Sequence, residues 1–253
     1  MRITLLGCGT STGVPQLPGS WGRCDPTNPK NRRRRSSILV EQKDTVLLVD
    51  TGPDLREQLL DARPDRLDGV LITHDHADHT HGIDDLRGFY QALHEQIPLY
   101  SVREVLDRLA TRFDYIFRSR QGYPPICRTE EIRPPEPVEI GTLTLKPFWQ
   151  EHGAIFSLGL RIGDFAYSTD LNALPEESYT ALEGVRVWIV DALRYRPHPT
   201  HFCLKDALAA IERVGCERAI LTHMNKDMDY ADLASALPEG VEPGYDGLVI
   251  EMS

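Results

Sequence analysis

Histidine and aspartate side chains crowd into one short stretch of the sequence. Residues 74–79 read His-Asp-His-Ala-Asp-His and follow the apolar run 69–73 directly. Imidazole nitrogens bind zinc, iron and similar ions, and carboxylates bind harder ions and can bridge a pair of them. A solvated polar loop is the alternative, but three imidazoles and two carboxylates beside a buried strand favour a pair of divalent metal ions. The chemistry that this arrangement predicts is metal-dependent hydrolysis.

Three further residues occupy the same kind of position. His152, Asp170 and His223 each follow an apolar, strand-like segment. Loops at the carboxyl ends of strands are where binding and catalytic residues gather in sheet proteins. Each residue taken alone would be read as an ordinary surface residue. Together with the histidine cluster, they are predicted to join the metal site.

Apolar and β-branched runs predict the strands that must position these residues. These runs cover residues 3–6, 37–40, 46–49, 70–73, 143–145, 158–162, 165–167, 185–190, 219–222 and 248–250. Apolar residues at i, i+3, i+4 and i+7 predict amphipathic helices over 102–113 and 204–214.

The order of these elements indicates the fold class. The early strands follow one another as hairpins, with a turn at residues 42–44, and the later strands alternate with helices. This order predicts an α/β (α+β) fold with two packed sheets and helices outside them. Residues 8–35 and 118–137 show no such periodicity and are predicted to be long loops, which are often functional.

Composition excludes several classes of protein. The 253 residues fit one large domain or two small ones, and we predict a single domain over residues 1–253. A formal net charge of −10 argues against general nucleic-acid binding.

No apolar run approaches the ~20 residues of a membrane span, and the start of the chain does not resemble a signal peptide. The five scattered cysteines favour a reducing compartment. We therefore expect a cytoplasmic protein with no membrane partner.

The motif His-x-His-x-Asp-His at residues 74–79, followed by the distant His152, Asp170 and His223, resembles the signature of the metallo-β-lactamase superfamily over nearly the whole chain. The resemblance implies a four-layer αββα sandwich with a dinuclear site between the sheet edges. It implies two divalent ions per chain, with zinc ahead of manganese or iron. One ion would be held by His74, His76 and His152, the other by Asp78, His79 and His223, with Asp170 bridging both and Asp50 supporting the ligands.

Within that superfamily the chain is similar to the PhnP-like cyclic phosphodiesterases. The similarity lies in the glycine-rich residues 7–15, the basic stretch 31–37 and the ending 242–248. The chain departs from that group at a cysteine-rich additional zinc site, since its first loop offers only Cys24. We therefore expect no structural zinc here.

The charge of a dinuclear site favours an anionic phosphodiester as the substrate. Two ions can activate a water, whose pKa falls towards ~7, and can stabilise charge on the phosphoryl oxygens. The leaving oxygen still needs a proton, and the resemblance places a general-acid or phosphate-contacting histidine at His201. Asp78 and His201 are the residues that we assign to catalysis. Arg34 and Arg35 are candidates for holding the substrate phosphate through the bidentate guanidinium group, the alternative being a solvated edge with one buried ion pair.

The predicted function is hydrolysis of a small nucleotide or ribose phosphodiester, cyclic esters included. A tRNA 3′-processing endoribonuclease would share the ligands, but the acidic charge and the absence of an obvious basic RNA-binding arm count against it. A glyoxalase-type thioesterase would carry an added helical domain, whereas thirty residues follow His223. A lactamase is disfavoured because Asp170 stands where those enzymes usually have cysteine. A metal-binding scaffold is the non-enzyme alternative, and the resemblance also favours a homodimer.

Overall fold

Two seven-stranded sheets form the framework of the protein. The computed structural model describes residues 1–120 and 122–252. In that part of the chain the strands are β1 (Arg2–Gly7), β2 (Ser37–Gln42), β3 (Thr45–Val49), β4 (Gly69–Leu71), β5 (Ile97–Ser101), β6 (Cys127–Glu131), β7 (Val138–Ile140), β8 (Leu143–His152), β9 (Ile155–Ile162), β10 (Phe165–Ser168), β11 (Val187–Asp191), β12 (Arg218–Thr222), β13 (Val241–Pro243) and β14 (Leu248–Glu251).

Each sheet is antiparallel in one half and parallel in the other. The first has the order β14-β1-β2-β3-β4-β5-β6, antiparallel up to β3 and parallel from β3 onwards. The second has the order β13-β12-β11-β10-β9-β8-β7, parallel between β13 and β10 and antiparallel from β10 to β7. Parallel strands end at the same edge of a sheet, so both sheets have an edge where several carboxyl ends meet.

Apolar side chains of both sheets belong to one buried cluster. Leu5 and Leu48 of the first sheet and Leu160 and Ile189 of the second are fully buried members of it. Burial of such side chains contributes roughly 1.5–3 kcal/mol each and is the main force that holds the sheets together. The two-sheet α/β architecture predicted from the sequence is therefore confirmed.

Helices cover the sheets. They are α1 (Leu55–Ala62), α2 (Ala77–Thr80), α3 (Arg87–Leu93), α4 (Arg103–Arg112), α5 (Asp114–Phe117), α6 (Glu176–Leu182), α7 (Leu204–Val214) and α8 (Tyr230–Ala236), with 3-10 helices at Pro29–Asn31 and Ile83–Leu86. The predicted helix over 204–214 coincides with α7, which buries Ala207, Ala210 and Ile211 and ends at Gly215 in the left-handed conformation. No helix in the described residues is long and apolar enough to cross a bilayer.

The prediction of a long loop over residues 118–137 was wrong in part. This region contains β6, which adds parallel to β5 at the edge of the first sheet. Edge strands expose much of their surface to water, and β6 carries charged side chains after Cys127. Those charges hide the apolar alternation by which a strand is recognised. Gln121 lies outside the described residues.

A buried guanidinium holds the loop that runs between β1 and β2. The Arg33 side chain is 2% exposed. Its Nη1 donates to the carbonyl of Asn225 at 3.0 Å and its Nη2 to the carbonyl of Met228 at 2.6 Å. Nη1 also lies 3.8 Å from Cys24 Sγ. Arg33 thus ties this loop to the segment that follows β12.

Candidate metal centre

Four strands of the second sheet deliver polar side chains to one edge. β10, β11 and β12 run parallel, and β8 runs the same way because two antiparallel steps separate it from β10. His152 is the last residue of β8 and Asp191 the last of β11. Asp170 follows β10 and His223 follows β12 directly. Chain direction alone therefore brings these four residues together.

The first sheet supplies the other half of the site. Asp50 directly follows β3, and residues 74–79 follow β4 across a short turn. The two edges touch where the backbone N–H of Leu158 donates to the carbonyl of Thr73 at 3.0 Å. The histidine cluster therefore faces the strand ends of the second sheet.

Three of these residues adopt the left-handed backbone conformation. Asp50 has φ +65°, and Asp170 and His223 each have φ +56°. Residues other than glycine rarely adopt this conformation, and it is found where surrounding structure enforces it, often at functional sites. At each position the chain leaves a strand and turns sharply, so the sheets hold these side chains at fixed positions.

Asp170 lies between two groups of ligand-type side chains. The first group is His74, His76, His152 and Asp170, and the second is Asp78, His79, Asp170 and His223; within each group one potential ligand atom per residue lies within 4.8 Å of all the others. Asp170 Oδ2 is 3.7 Å from the Nε2 atoms of both His74 and His152. Asp170 Oδ1 is 3.1 Å from His79 Nε2 and 3.2 Å from His223 Nδ1. Each carboxylate oxygen thus serves one group.

The residues present fit a pair of divalent cations. The Nε2 atoms of His74 and His79 are buried and have no hydrogen-bond partner among the described residues. Buried polar atoms are almost always satisfied, so an unpartnered nitrogen that faces a carboxylate calls for another partner. His79 Nε2 is also 3.3 Å from Asp78 Oδ2. Nitrogen and carboxylate donors of this kind suit zinc, iron or manganese.

A second layer of contacts fixes the imidazole rings. Asp50 Oδ2 is 2.7 Å from His79 Nδ1. The backbone N–H of Thr73 donates to Asp50 Oδ1 at 2.8 Å. His152 Nδ1 is 2.6 Å from the carbonyl oxygen of Thr200. Partners of this kind set the tautomer and direction of a metal-binding histidine.

The buried charges of the site shift its pKa values. Burial raises the pKa of Asp50, although His79 opposes that shift. Burial alone would lower the pKa of His79, but the carboxylates of Asp170, Asp78 and Asp50 raise it well above its ordinary value. For His74, burial lowers the pKa well below the ordinary value, so this imidazole is neutral and can act as a ligand.

His201 stands beside the two groups without belonging to either. Its Nε2 is 3.8 Å from Asp170 Oδ2, and its Nδ1 is 2.8 Å from Asp191 Oδ2. Burial opposes the charged form of His201, yet the neighbouring Asp191 carboxylate and the acids beyond it raise its pKa to about 9. Asp191 thus favours the protonated ring, and the Nε2 of His201 faces the centre of the site.

A cavity of about 370 Å³ opens over these residues. Its lining is Ser11, His76, Asp78, His152, Ala154, Ile155, Asp170, Thr200, His201 and His223. The structure does not bring Arg34 to this cavity, because Arg34 lines a different one beside α1. Arg35 turns towards Asp54, with both carboxylate oxygens 3.1 Å from its Nη1, and donates from Nε to the carbonyl of Ser11 at 3.2 Å. Arg35 thus supports the wall of the cavity.

Sequence reasoning missed Asp191 and Ser11. Asp191 is fully buried at the end of β11. An acid at the end of the apolar run 185–190 was the available signal; Asp50 has the same position after the run 46–49, but the family resemblance identified it. Ser11 gave no signal, since only the folded loop places it at the cavity.

Comparison with known proteins assigns the class. A family model described as a β-lactamase superfamily domain matches residues 45–224. The chain therefore belongs to the metallo-β-lactamase superfamily and has that fold. An octanoyltransferase of Porphyromonas gingivalis is 35% identical over 98% of this chain. The chain spans 51% of the length of that relative.

Two solved structures are similar over the whole chain. A diphosphatase of the PhnP family is 32% identical, with a TM-score of 0.92 over 99% of this chain and 97% of the other. Zinc-bound PqqB from Methylobacterium extorquens has a TM-score of 0.80 at 19% identity, over 100% of both chains. The second likeness shows the fold alone. The resemblance seen in the sequence is thus confirmed at the level of the superfamily.

Proposed function

We propose that this enzyme hydrolyses small phosphodiesters of nucleotides or ribose, cyclic esters included. The observation that carries the proposal is the position of His201. An imidazole paired with a buried carboxylate lies 3.8 Å from the aspartate that the two ligand groups share. Ester hydrolysis needs a nucleophile and a proton donor for the leaving oxygen, and this arrangement supports both.

The two groups of ligands are proposed to hold one divalent ion each. His74, His76 and His152 would hold the first, Asp78, His79 and His223 the second, and Asp170 both. Bound there, the ions would lower the pKa of a water and offset negative charge on the phosphoryl oxygens.

Charge favours a phosphodiester over a neutral substrate. Two divalent ions bring four positive charges, and Asp78 and Asp170 bring two negative ones. The surplus positive charge attracts an anion to a cavity whose wall also includes the uncharged Ser11 and Ile155.

His201 would protonate the leaving group. Water supplies the oxygen that bonds to phosphorus, and the bond between phosphorus and the leaving oxygen breaks. That oxygen takes the proton from His201 Nε2, and the proton released by the water restores His201 afterwards. Asp191 holds Nδ1 throughout, so Nε2 keeps pointing at the reacting atoms.

The size of the cavity supports a small substrate. Its volume of about 370 Å³ lies near the lower end of the ~300–1,000 Å³ range of small-molecule pockets. The similar PhnP-family enzyme is a diphosphatase. A diphosphate diester also presents a phosphoryl centre with an oxygen leaving group, so it belongs in the substrate panel.

Turnover of matched esters tests the proposal. Protein loaded with zinc or manganese should split bis(p-nitrophenyl) phosphate at least a hundredfold faster than p-nitrophenyl phosphate. A 2′,3′-cyclic nucleotide, a diphosphate diester and a precursor tRNA complete the panel. No diester turnover after metal loading would refute the proposal, and preference for the tRNA would favour the endoribonuclease.

Two substitutions separate the proton donor from the ligands. His201→Ala should lower kcat about 10²- to 10⁴-fold, because it removes the proton donor. Metal content should stay unchanged, because His201 belongs to neither ligand group. Asp170→Ala should lower the metal content itself. The exposed His94 supplies the control, and His94→Ala should change neither property.

A further inference from the structure

A second cavity, separate from the metal centre, lies beside α1 and the strand pair β1 and β14. Its volume is about 330 Å³. Thr4 and Leu6 line it from β1, Gln58 and Asp61 from α1, and Asp246 and Val249 from the end of the chain. None of its lining residues also lines the cavity over the metal centre.

Three arginines, Arg2, Arg32 and Arg34, line this cavity, together with two aspartates. Such a concentration of positive charge is unusual in a chain with a formal net charge of −10. Guanidinium groups bind phosphate through paired N–H donors, which makes them the preferred side chains for that anion.

These arginines are only weakly neutralised by the protein. Arg32 makes no salt bridge within residues 1–120 and 122–252. Arg34 pairs with Asp61 at 2.7 Å, but the Asp61 side chain is 69% exposed. Arg2 Nη1 lies 3.3 Å from Glu41, and Arg2 Nε lies 3.6 Å from the exposed Glu251; the Arg2 side chain is itself 48% exposed. Exposed ion pairs contribute ~0–1 kcal/mol, so an incoming anion can replace them at little cost.

The buried carboxylate at the floor of the cavity is already engaged. Asp246 Oδ1 accepts from the backbone N–H of Cys8 at 3.1 Å and from Cys8 Sγ at 3.4 Å. Asp246 Oδ2 accepts from the backbone N–H of Arg34 at 2.7 Å. Both side-chain oxygens of Asp246 are thus engaged by these donors and not by the side chains of the three arginines.

We infer that this cavity binds a small phosphomonoester, with the phosphate on Arg32 and Arg34. The volume leaves room for a sugar-sized body beyond the phosphate. Leu6 and Val249 give that body an apolar surface. The inference does not depend on the reaction at the metal centre, so either can fail alone.

Calorimetric titration of the metal-loaded protein with glucose 6-phosphate tests the inference. The Arg32→Gln/Arg34→Gln protein should lose one binding event, or bind at that site at least a hundredfold more weakly. The matched control is Arg103→Gln/Arg128→Gln, which removes the same charge from two exposed arginines outside the cavity and should bind like the wild type. Equal affinities in the two double variants would overturn the inference.

Two further comparisons, one of a variant and one of a smaller ligand, test the same site. Asp61→Asn frees the Arg34 guanidinium from its carboxylate and should tighten binding about three- to tenfold; weaker or unchanged binding contradicts the site. Glucose 6-phosphate should bind more tightly than methyl phosphate, which has the same charge but no body to occupy the cavity beyond the phosphate. Equal affinity for these two would refute the inference that the cavity takes a sugar-sized body.

Discussion

Asp191→Asn separates charge from shape at the proposed proton donor. Asp191 is fully buried, and its Oδ2 accepts from His201 Nδ1 at 2.8 Å. Asparagine has the same outline but no charge, so it cannot stabilise the protonated imidazole. A hydrogen bond to a charged group contributes roughly 1.5–3 kcal/mol, which corresponds to a loss of about 10- to 150-fold in kcat.

Steady-state kinetics on bis(p-nitrophenyl) phosphate measures this loss. We expect kcat to fall while KM and metal content stay near the wild-type values, because Asp191 belongs to neither ligand group. The exposed Asp107→Asn protein is the matched carboxylate-to-amide control.

A double variant tests whether the two residues act as a unit. If Asp191 works only through His201, then Asp191→Asn should cost nothing further in a His201→Ala background. Wild-type kcat in Asp191→Asn, or losses that multiply in the double variant, would refute the proposed dyad.

Three other predictions concern metal binding and stability. Asp50→Asn removes the charged partner of His79 Nδ1 and should weaken metal binding about 10- to 100-fold in a chelator competition. Arg33→Met leaves two buried carbonyls without their donor and should lower the free energy of urea unfolding by about 3 kcal/mol or more, whereas the exposed Arg32→Met should change it little. The pKa of Asp246 is raised to about 7, chiefly by burial, so the folded state keeps a proton that the unfolded state has lost. The stabilisation is complete below about pH 4 and lost as pH rises through about 7, by at most about 4 kcal/mol; the Asp246→Asn protein should lack this part of the pH profile, and parallel wild-type and variant profiles would contradict it.

The site residues at strand ends could be predicted from the sequence, because their positions follow from the local pattern of apolar residues. Apolar runs marked β10 and β12, and Asp170 and His223 come just after them. Parallel strands then bring those ends to one edge whatever the loops do. Metal binding by these residues stays a prediction, and so do the number and the identity of the ions.

The side-chain directions of arginines 33–35 could not be predicted from the sequence, because these residues lie in a segment without regular secondary structure. Arg33 turns inwards and is buried, while Arg34 turns towards α1 and Arg35 towards Asp54. The strand alternation that would have ordered their directions begins only at Ser37, where β2 starts. Side-chain direction in this segment depends on tertiary contacts that no local pattern contains.

The metal centre draws its ligands from both sheets. Residues 74–79 come from the first sheet, and His152, Asp170 and His223 from the second. Ions bound there would cross-link the two layers and so add their binding free energy to that of folding, about 2.7 kcal/mol when free metal exceeds Kd a hundredfold. Material purified in a chelator should therefore unfold at a lower temperature as a whole, and its thermal midpoint should rise with added zinc or manganese in the absence of any substrate.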